Sequence, residues 1–217
     1  MNRYLLACGN DSRKAMTLYR QNLRLSQEMF TIISCFEIAL RNAIDRELRP
    51  RFGNDWLRDS VNKGGIFDRQ GTRETFETIR KEYHSLIKNR NYSHENLLSK
   101  LSFGVWKYMF GRPQYTATGK CLISIFPNKP KSTPNHQINH TSIYTELDNI
   151  NSIRNRIAHH EPICFDKGKS HIDTSHVRNK YSQLIKLYNW MGIDSSALLY
   201  GLDHVLKTCD QIDRIQW

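Results

Sequence analysis

Between residues 12 and 48 the chain contains neither proline nor glycine, and this stretch constrains the fold more than any other feature of the sequence. Apolar residues recur along it at helical intervals. They form one stripe, made of Met29, Ile33, Phe36, Leu40, Ala43 and Ile44. The pattern predicts one long helix, or two helices broken near residues 25–26. Pro50 and Gly53 are predicted to end it.

Helical patterning continues through most of the remaining chain. Further helices are predicted over about residues 72–89, 94–110, 174–190 and 195–210, and from residue 142 onward. Ser93 is predicted to cap the helix that follows it. The inward side of that helix is predicted to carry Leu97, Leu98, Leu101, Val105, Tyr108 and Met109.

Residues 111–140 are the least regular part of the chain. Pro127, Pro130 and Pro134 fall within eight residues of each other, and such a cluster predicts a loop or insertion. No stretch of the sequence alternates convincingly as a strand would. The sequence therefore predicts an all-α helical bundle, folded as a single domain over residues 1–217 with this Pro-rich loop insertion.

Composition narrows the class of partner. The net charge of +11 over 217 residues favours a polyanion, and RNA or DNA is the usual one; the alternative is a basic surface that serves only solubility. Five scattered cysteines without a CxxC pair predict reduced thiols in a cytoplasmic protein. No apolar run approaches the ~18–20 residues that span a bilayer, which predicts that the membrane is not a partner.

The run "RNRIAHHEP", residues 154–162, concentrates ionisable groups at the predicted end of a helix. Ile143, Leu147 and Ile150 form a core-facing seam, and the same spacing next reaches Arg154. A guanidinium at a seam position is costly unless it is paired. The pattern therefore predicts an anion beside Arg154: a carboxylate, a bound phosphate, or each in turn.

The two imidazoles that follow suggest the chemistry. Pro162 disfavours helical geometry at Glu161, so the last turn is predicted to fray near His159 and His160 and to bring one imidazole toward the arginine. Arg154 would then hold a phosphodiester and His159 would transfer its protons, with Asn155 orienting a neighbouring group. Such a reaction requires no metal or other cofactor.

These residues resemble a known family. Arg154, Asn155 and His159 fit the Arg-Asn-x-x-x-His signature of HEPN-domain proteins. The longer run "RNRIAHHEPI", with "FEIALRNAI" and "LSFGVWKYMF" upstream, is similar to the Abi-like branch of abortive-infection proteins. The resemblance implies an all-α HEPN-like bundle and a metal-independent endoribonuclease. It also implies a homodimer in which two motifs meet, cleavage through the ribose 2′-hydroxyl, and neutralisation by a small RNA or protein antitoxin.

Two interpretations are open for several residues that could support the site. Glu37 and Arg41 are either an ordinary pair on one helix face or a site element in which Glu37 pairs with Arg154. His160 is expected to orient the site or contact RNA, and Glu161 is either a solvated carboxylate or part of the site.

Two other groups of residues are weaker candidates. The aromatic residues Phe103, Trp106 and Phe110 are more typical of core positions than of base stacking. His136 and His140 lack the third ligand of a zinc site, so no metal centre is predicted.

The sequence thus favours an RNA-cutting toxin or phage-defence effector. The alternatives are a HEPN-like module that binds RNA or protein without catalysis, and a dimer whose motif only stabilises its interface.

Overall fold

The computed structural model describes residues 1–135, 137–166 and 168–216, with only the backbone of Gln216. Within these residues the secondary structure is helical and no β-strand occurs. Phe165 and Ile172 form an isolated bridge. The all-α prediction is therefore confirmed. The α-helices are α1 Asn2–Ala7, α2 Ser12–Phe52, α3 Trp56–Ser60, α4 Arg73–Lys88, α5 His94–Lys100, α6 Phe103–Tyr108, α7 Arg112–Ala117, α8 His140–Ala158, α9 Ser175–Trp190, α10 Ser195–Leu198 and α11 Val205–Asp213.

The chain divides into two compact units. Residues 1–36 and 152–217 form the first unit, and residues 37–151 form the second. The boundaries fall inside α2 and α8, so both helices contribute to both units. Among the described residues, no helix is sufficiently long and apolar to cross a bilayer.

The predicted long helix is continuous, and the alternative break near residues 25–26 is absent. Leu25 is fully buried there, and no proline or glycine interrupts the backbone. The prediction that Pro50 ends the helix is wrong, because α2 continues through Pro50 to Phe52. A proline in the last turn removes only one hydrogen bond. Gly53 ends the helix as predicted, since its φ of 89° lies in the left-handed region.

In the first unit, α2 packs against α9. The rings of Phe36 and Tyr188 meet edge to face, with 5.2 Å between their centroids. The Tyr188 hydroxyl donates to the Ile32 carbonyl oxygen at 3.1 Å, so its polar end is satisfied within the core. Arg178 joins α9 to α11 through Asp210 and Asp213. The contacts of Tyr188 therefore fix α2 against α9, and the contacts of Arg178 fix α9 against α11.

In the second unit, the predicted helix over residues 94–110 is two helices. Ser93 caps α5 as predicted, because its hydroxyl accepts from the Asn96 backbone N–H at 3.0 Å. The chain then turns at Leu101, whose carbonyl oxygen accepts from the Trp106 indole N–H at 3.2 Å. Most of the predicted inward residues are buried, but Tyr108 is exposed on the surface.

The irregular segment is more ordered than predicted. It contains α7 and a 3-10 turn, Leu122–Ile125, so the prediction of a loop over all of residues 111–140 is wrong. The difference is explained by three buried residues, Tyr115, Leu122 and Phe126. They give the segment an apolar side that packs into the core, which the proline cluster did not predict. Pro127, Pro130 and Pro134 lie outside helices, as predicted.

The C-terminal prediction also differs from the structure. The helix predicted over residues 195–210 is divided into α10 and α11. Gly201 lies between them with a φ of 73°, a backbone conformation that interrupts a right-handed helix.

Candidate active site

The charged run ends α8 in a defined cap. His159 still donates its backbone N–H to the Asn155 carbonyl oxygen at 2.9 Å. The N–H of His160 then bonds to the Ile157 carbonyl oxygen and that of Glu161 to the Arg156 carbonyl oxygen, at 3.0 and 2.8 Å. This pair of bonds is a Schellman motif, and His160 takes its left-handed position with a φ of 57°. The predicted fraying is therefore wrong: a hydrogen-bonded cap presents the imidazoles.

Arg156 stabilises this cap from the side. Its Nη2 donates to the Pro162 carbonyl oxygen at 2.9 Å, and its Nε lies 3.5 Å from Glu161 Oε2. The Arg156 side chain is only 15% exposed, so this pair is partly shielded from solvent. Glu161 is 57% exposed and pairs with Arg156, so it contributes to the cap, and its part in the site stays a prediction. The sequence analysis missed Arg156, since its five-residue separation from Glu161 is not a helical pairing distance.

Arg154 lies at the edge of the core. The buried seam of α8 passes from Ile150 to Ile153, so the prediction that the seam next reaches Arg154 is wrong. Its guanidinium carbon lies 6.0 Å from the centroid of the Phe30 ring on α2. Arg154 is half-buried, and its Nε has no hydrogen-bond partner among the described residues. A buried N–H without an acceptor is destabilising. The part of this half-buried guanidinium that is exposed is suited to an added anion.

The other predicted residues of the run are accessible to solvent. His159, Asn155 and His160 are exposed. Within the described residues no hydrogen bond or ion pair joins His159 to Arg154. One chain therefore presents a guanidinium and an imidazole near the same helix end without pairing them.

Glu37 and Arg41 lie on the α2 segment that belongs to the second unit. Both are half-buried, and Arg41, like Arg154, has a buried Nε without a hydrogen-bond partner in the described part of the chain. The pairing of Glu37 with Arg154 stays a prediction.

Asn22 anchors the chain that leaves the cap. Its side-chain oxygen accepts from the backbone N–H groups of Ile163 and Cys164, at 2.9 and 3.1 Å. Asn22 was missed by the sequence analysis, although it occupies an otherwise apolar position between buried Leu18 and Leu25. An amide within an apolar helix face is the signal that could have identified it, because a buried amide must find hydrogen-bond partners.

Cysteine chemistry does not suit this site. Burial raises the pKa of the Cys164 thiol to about 12. The thiol therefore stays protonated near neutral pH and cannot act as a nucleophile there. All five cysteines are free of disulfides.

The weaker candidates that lie among the described residues have structural roles. Phe103, Trp106 and Phe110 are fully buried, which confirms the core interpretation. The His140 ring stacks on Tyr115 with 4.5 Å between centroids, and its Nδ1 lies 3.0 Å from the Phe110 carbonyl oxygen. His136 lies outside the described residues. Among the residues that the structure describes, no three His, Cys, Asp or Glu residues are grouped as metal ligands.

His160→Gly is expected to increase the free energy of unfolding by about 0.5–1 kcal/mol, because glycine adopts a left-handed backbone without strain. Arg90 has the same conformation after α4, with a φ of 53°. Arg90→Gly is thus a matched control with a similar expected gain, measured by urea unfolding. If His160 also contacts RNA, His160→Gly alone will weaken RNA binding. A loss of stability in His160→Gly would contradict the strained-cap argument.

Comparison with known protein families adds independent information. Residues 2–164 match the Abi-like protein family. The match takes in all of α2 and α8 and the complete charged run. Comparisons with curated proteins and with solved structures find no match. Because the family match extends over well more than half of the sequence, this chain belongs to the Abi-like protein family.

Proposed function

We propose that this Abi-like protein is a metal-independent endoribonuclease of the HEPN type that acts as a toxin or effector in abortive infection. The observation that carries the proposal is the half-buried guanidinium of Arg154, whose Nε has no hydrogen-bond partner in the described chain, next to a capped helix end with an exposed imidazole. The net charge of +11 supports a polyanionic substrate. RNA is the polyanion that the resemblance to HEPN proteins implies.

In this proposal Arg154 binds the scissile phosphate. Arg154 Nε is buried, so the phosphate would accept its two parallel hydrogen bonds from the Nη groups of the half-buried guanidinium. Negative charge grows on that phosphate in the transition state, so a positioned cation lowers the barrier. The nearby Phe30 ring favours a fixed guanidinium plane.

His159 acts as the proton-transfer group. Imidazole can both accept and donate a proton, and the ring of His159 is exposed and therefore accessible to RNA. His159 would accept the proton of the ribose 2′-hydroxyl or donate one to the leaving oxygen. The expected products carry a cyclic phosphate and a 5′-hydroxyl. Asn155, His160 and Glu37 would support the site.

A homodimer would bring two such motifs together. Met16, Tyr19, Leu23 and Phe30 are exposed apolar residues of α2 in the first unit. They lie within about 60° of one another around the helix axis. Met16, Leu23 and Phe30 are seven residues apart, which is the repeat of helices that pair as coiled coils. Phe30 is also the ring beside Arg154. A second chain on this surface would therefore lie next to the guanidinium and supply the partner imidazole.

The test is cleavage of a structured RNA in EDTA by the purified wild-type protein and by Arg154→Ala, His159→Ala and the double variant. The wild type is expected to cleave, to yield cyclic-phosphate ends and to sediment as a dimer, while the three variants do not cleave. His84→Ala removes an exposed histidine of the second unit and is expected to leave cleavage unchanged. An inactive wild type, or variants that cleave equally well, would refute the nuclease.

A second candidate is a module that binds RNA or a protein without cutting. The observation that favours it is that no hydrogen bond or ion pair joins Arg154 to His159 among the described residues. In that case Arg154→Ala weakens RNA binding. It also makes the dependence of log K on log salt concentration shallower, by about the amount that one phosphate contact contributes. His159→Ala leaves binding intact. Expression in cells separates the two: a nuclease toxin arrests growth unless His159 is replaced, and a co-expressed antitoxin would relieve the arrest.

A further inference from the structure

A cleft in the second unit shares no residue with the Arg154–His159 motif. Its volume is about 640 Å³, within the range of about 300–1,000 Å³ that small-molecule sites occupy. We call it the tyrosine cleft and define it by Tyr108, Tyr144, Arg73, Arg112, Glu74 and Gln114, all of which line it. The lining combines aromatic rings, cations and amide or carboxyl groups.

The two tyrosines form a fixed aromatic surface. Their ring centroids are 6.0 Å apart and the planes are tilted by 47°. Lys107 Nζ lies 4.4 Å from the Tyr108 centroid and 5.4 Å from the Tyr144 centroid, and it donates to Asp148 at 2.8 Å. Burial alone would lower the pKa of Lys107, but the Asp148 carboxylate outweighs this and raises it. The charged ammonium therefore holds both rings in place, and it does not itself line the cleft.

The two arginines of the cleft differ in what they already bind. Arg73 pairs with Glu77 at 2.5 Å and lies 5.2 Å from the Phe76 ring centroid. Arg112 is exposed and forms no ion pair with any described residue. A guanidinium without a carboxylate partner at the mouth of a cleft is suited to an anionic ligand.

The remaining polar groups are held in defined positions. The Gln114 amide is buried and donates to the Thr75 hydroxyl at 2.9 Å. A Cβ at Gly111 would lie 3.0 Å from the Tyr108 carbonyl oxygen and 3.2 Å from Gln114 Oε1, so this wall is closely packed. The exposed Glu74 carboxylate adds an acceptor for amino or hydroxyl groups. The cleft thus offers a stacking surface, a cation and polar edges.

We propose that the tyrosine cleft binds a nucleotide whose base stacks on Tyr108 and contacts the tilted ring of Tyr144, and whose phosphate pairs with Arg112. Base stacking on aromatic side chains tolerates any base, because each base has a π-face. A free mononucleotide and a nucleotide within an RNA strand present the same chemistry. The proposal does not depend on cleavage at Arg154 and His159.

The experiment titrates the full-length protein with AMP and, separately, with a short 2′-O-methyl oligoadenylate, which cannot be cut through a 2′-hydroxyl. Tyr108→Ala is expected to weaken binding at least about fivefold, and Arg112→Ala about tenfold. Tyr108→Phe is expected to restore binding, because it retains the ring. Binding of AMP as tight as that of the oligonucleotide identifies a free nucleotide as the ligand, whereas much tighter oligonucleotide binding identifies an RNA strand.

Tyr200→Ala and Arg20→Ala are the matched controls. Tyr200 is 89% exposed in the first unit and Arg20 is an exposed cation of α2, so neither replacement should change binding. Melting temperatures of all variants check that each one folds. Failure of both ligands to bind the wild type, or equal weakening by the controls and the cleft variants, would overturn the proposal. Loss of RNA cleavage in His159→Ala with unchanged AMP binding would separate this site from the nuclease.

Discussion

In the proposed nuclease, Arg154→Lys is expected to reduce RNA cleavage about 100- to 1,000-fold, even though it keeps the positive charge. Lysine is a point charge and cannot form two parallel hydrogen bonds to a phosphate. It also lacks the planar group that lies beside Phe30 at 6.0 Å in the wild type. The measurement is the single-turnover cleavage rate with saturating enzyme, which separates the chemical step from RNA binding.

Arg20→Lys is the control for this experiment. Arg20 is exposed on α2, and its replacement by lysine should leave the rate within about twofold of the wild type. Because Arg154 is only half-buried, Arg154→Lys is expected to fold normally. If Arg154→Lys cleaves at the wild-type rate while His159→Ala is inactive, Arg154 supplies charge alone and the two-bond phosphate contact is wrong.

Asp45→Ala is expected to lower the free energy of unfolding by about 3–5 kcal/mol. The Asp45 carboxylate accepts from three side chains: Trp56 Nε1 at 2.8 Å, His94 Nε2 at 2.7 Å and Arg49 Nε at 2.7 Å. Trp56 and His94 are buried, so removing the carboxylate leaves buried donors without an acceptor. Urea unfolding followed by tryptophan fluorescence measures the loss, since Trp56 lies in the affected cluster.

Asp59→Ala is the matched control in the second unit. Asp59 pairs with Arg58 at 2.9 Å, but its side chain is 46% exposed, so its loss should cost less than about 1 kcal/mol. Equal effects of the two substitutions would contradict the argument that burial makes Asp45 important. Asp45→Asn should fall between them, because an amide oxygen still accepts but carries no charge.

The prediction of the fold succeeded where local pattern and tertiary structure agree. The absence of proline and glycine from residues 12–48 predicted α2, and the Ser93 hydroxyl capped α5 as its position suggested. Prediction failed at Pro50 and at residues 111–140. There, burial of Tyr115, Leu122 and Phe126 outweighed the local preference for a loop. Such burial depends on residues distant in sequence, which periodicity does not report.

The candidate site was proposed from the sequence, but its geometry was evident only in the folded chain. The run from Arg154 to Pro162 identified the end of α8, whereas the left-handed His160 and the contacts of Arg156 became evident only in the folded chain. Asn22 shows the same limit, since its two backbone partners lie 141 and 142 residues away.

The sequence by itself determined the helical class, the positive charge and the position of the Arg-Asn-x-x-x-His signature, because composition and short-range spacing encode all three. Only the tertiary structure decided which polar groups are paired and which are not. It placed Arg154 beside Phe30 with a buried Nε and joined Asp45 to His94 across 49 residues of chain. Pairing and burial arise from contacts between distant segments, so only the folded chain decides which charged groups are left to bind a ligand.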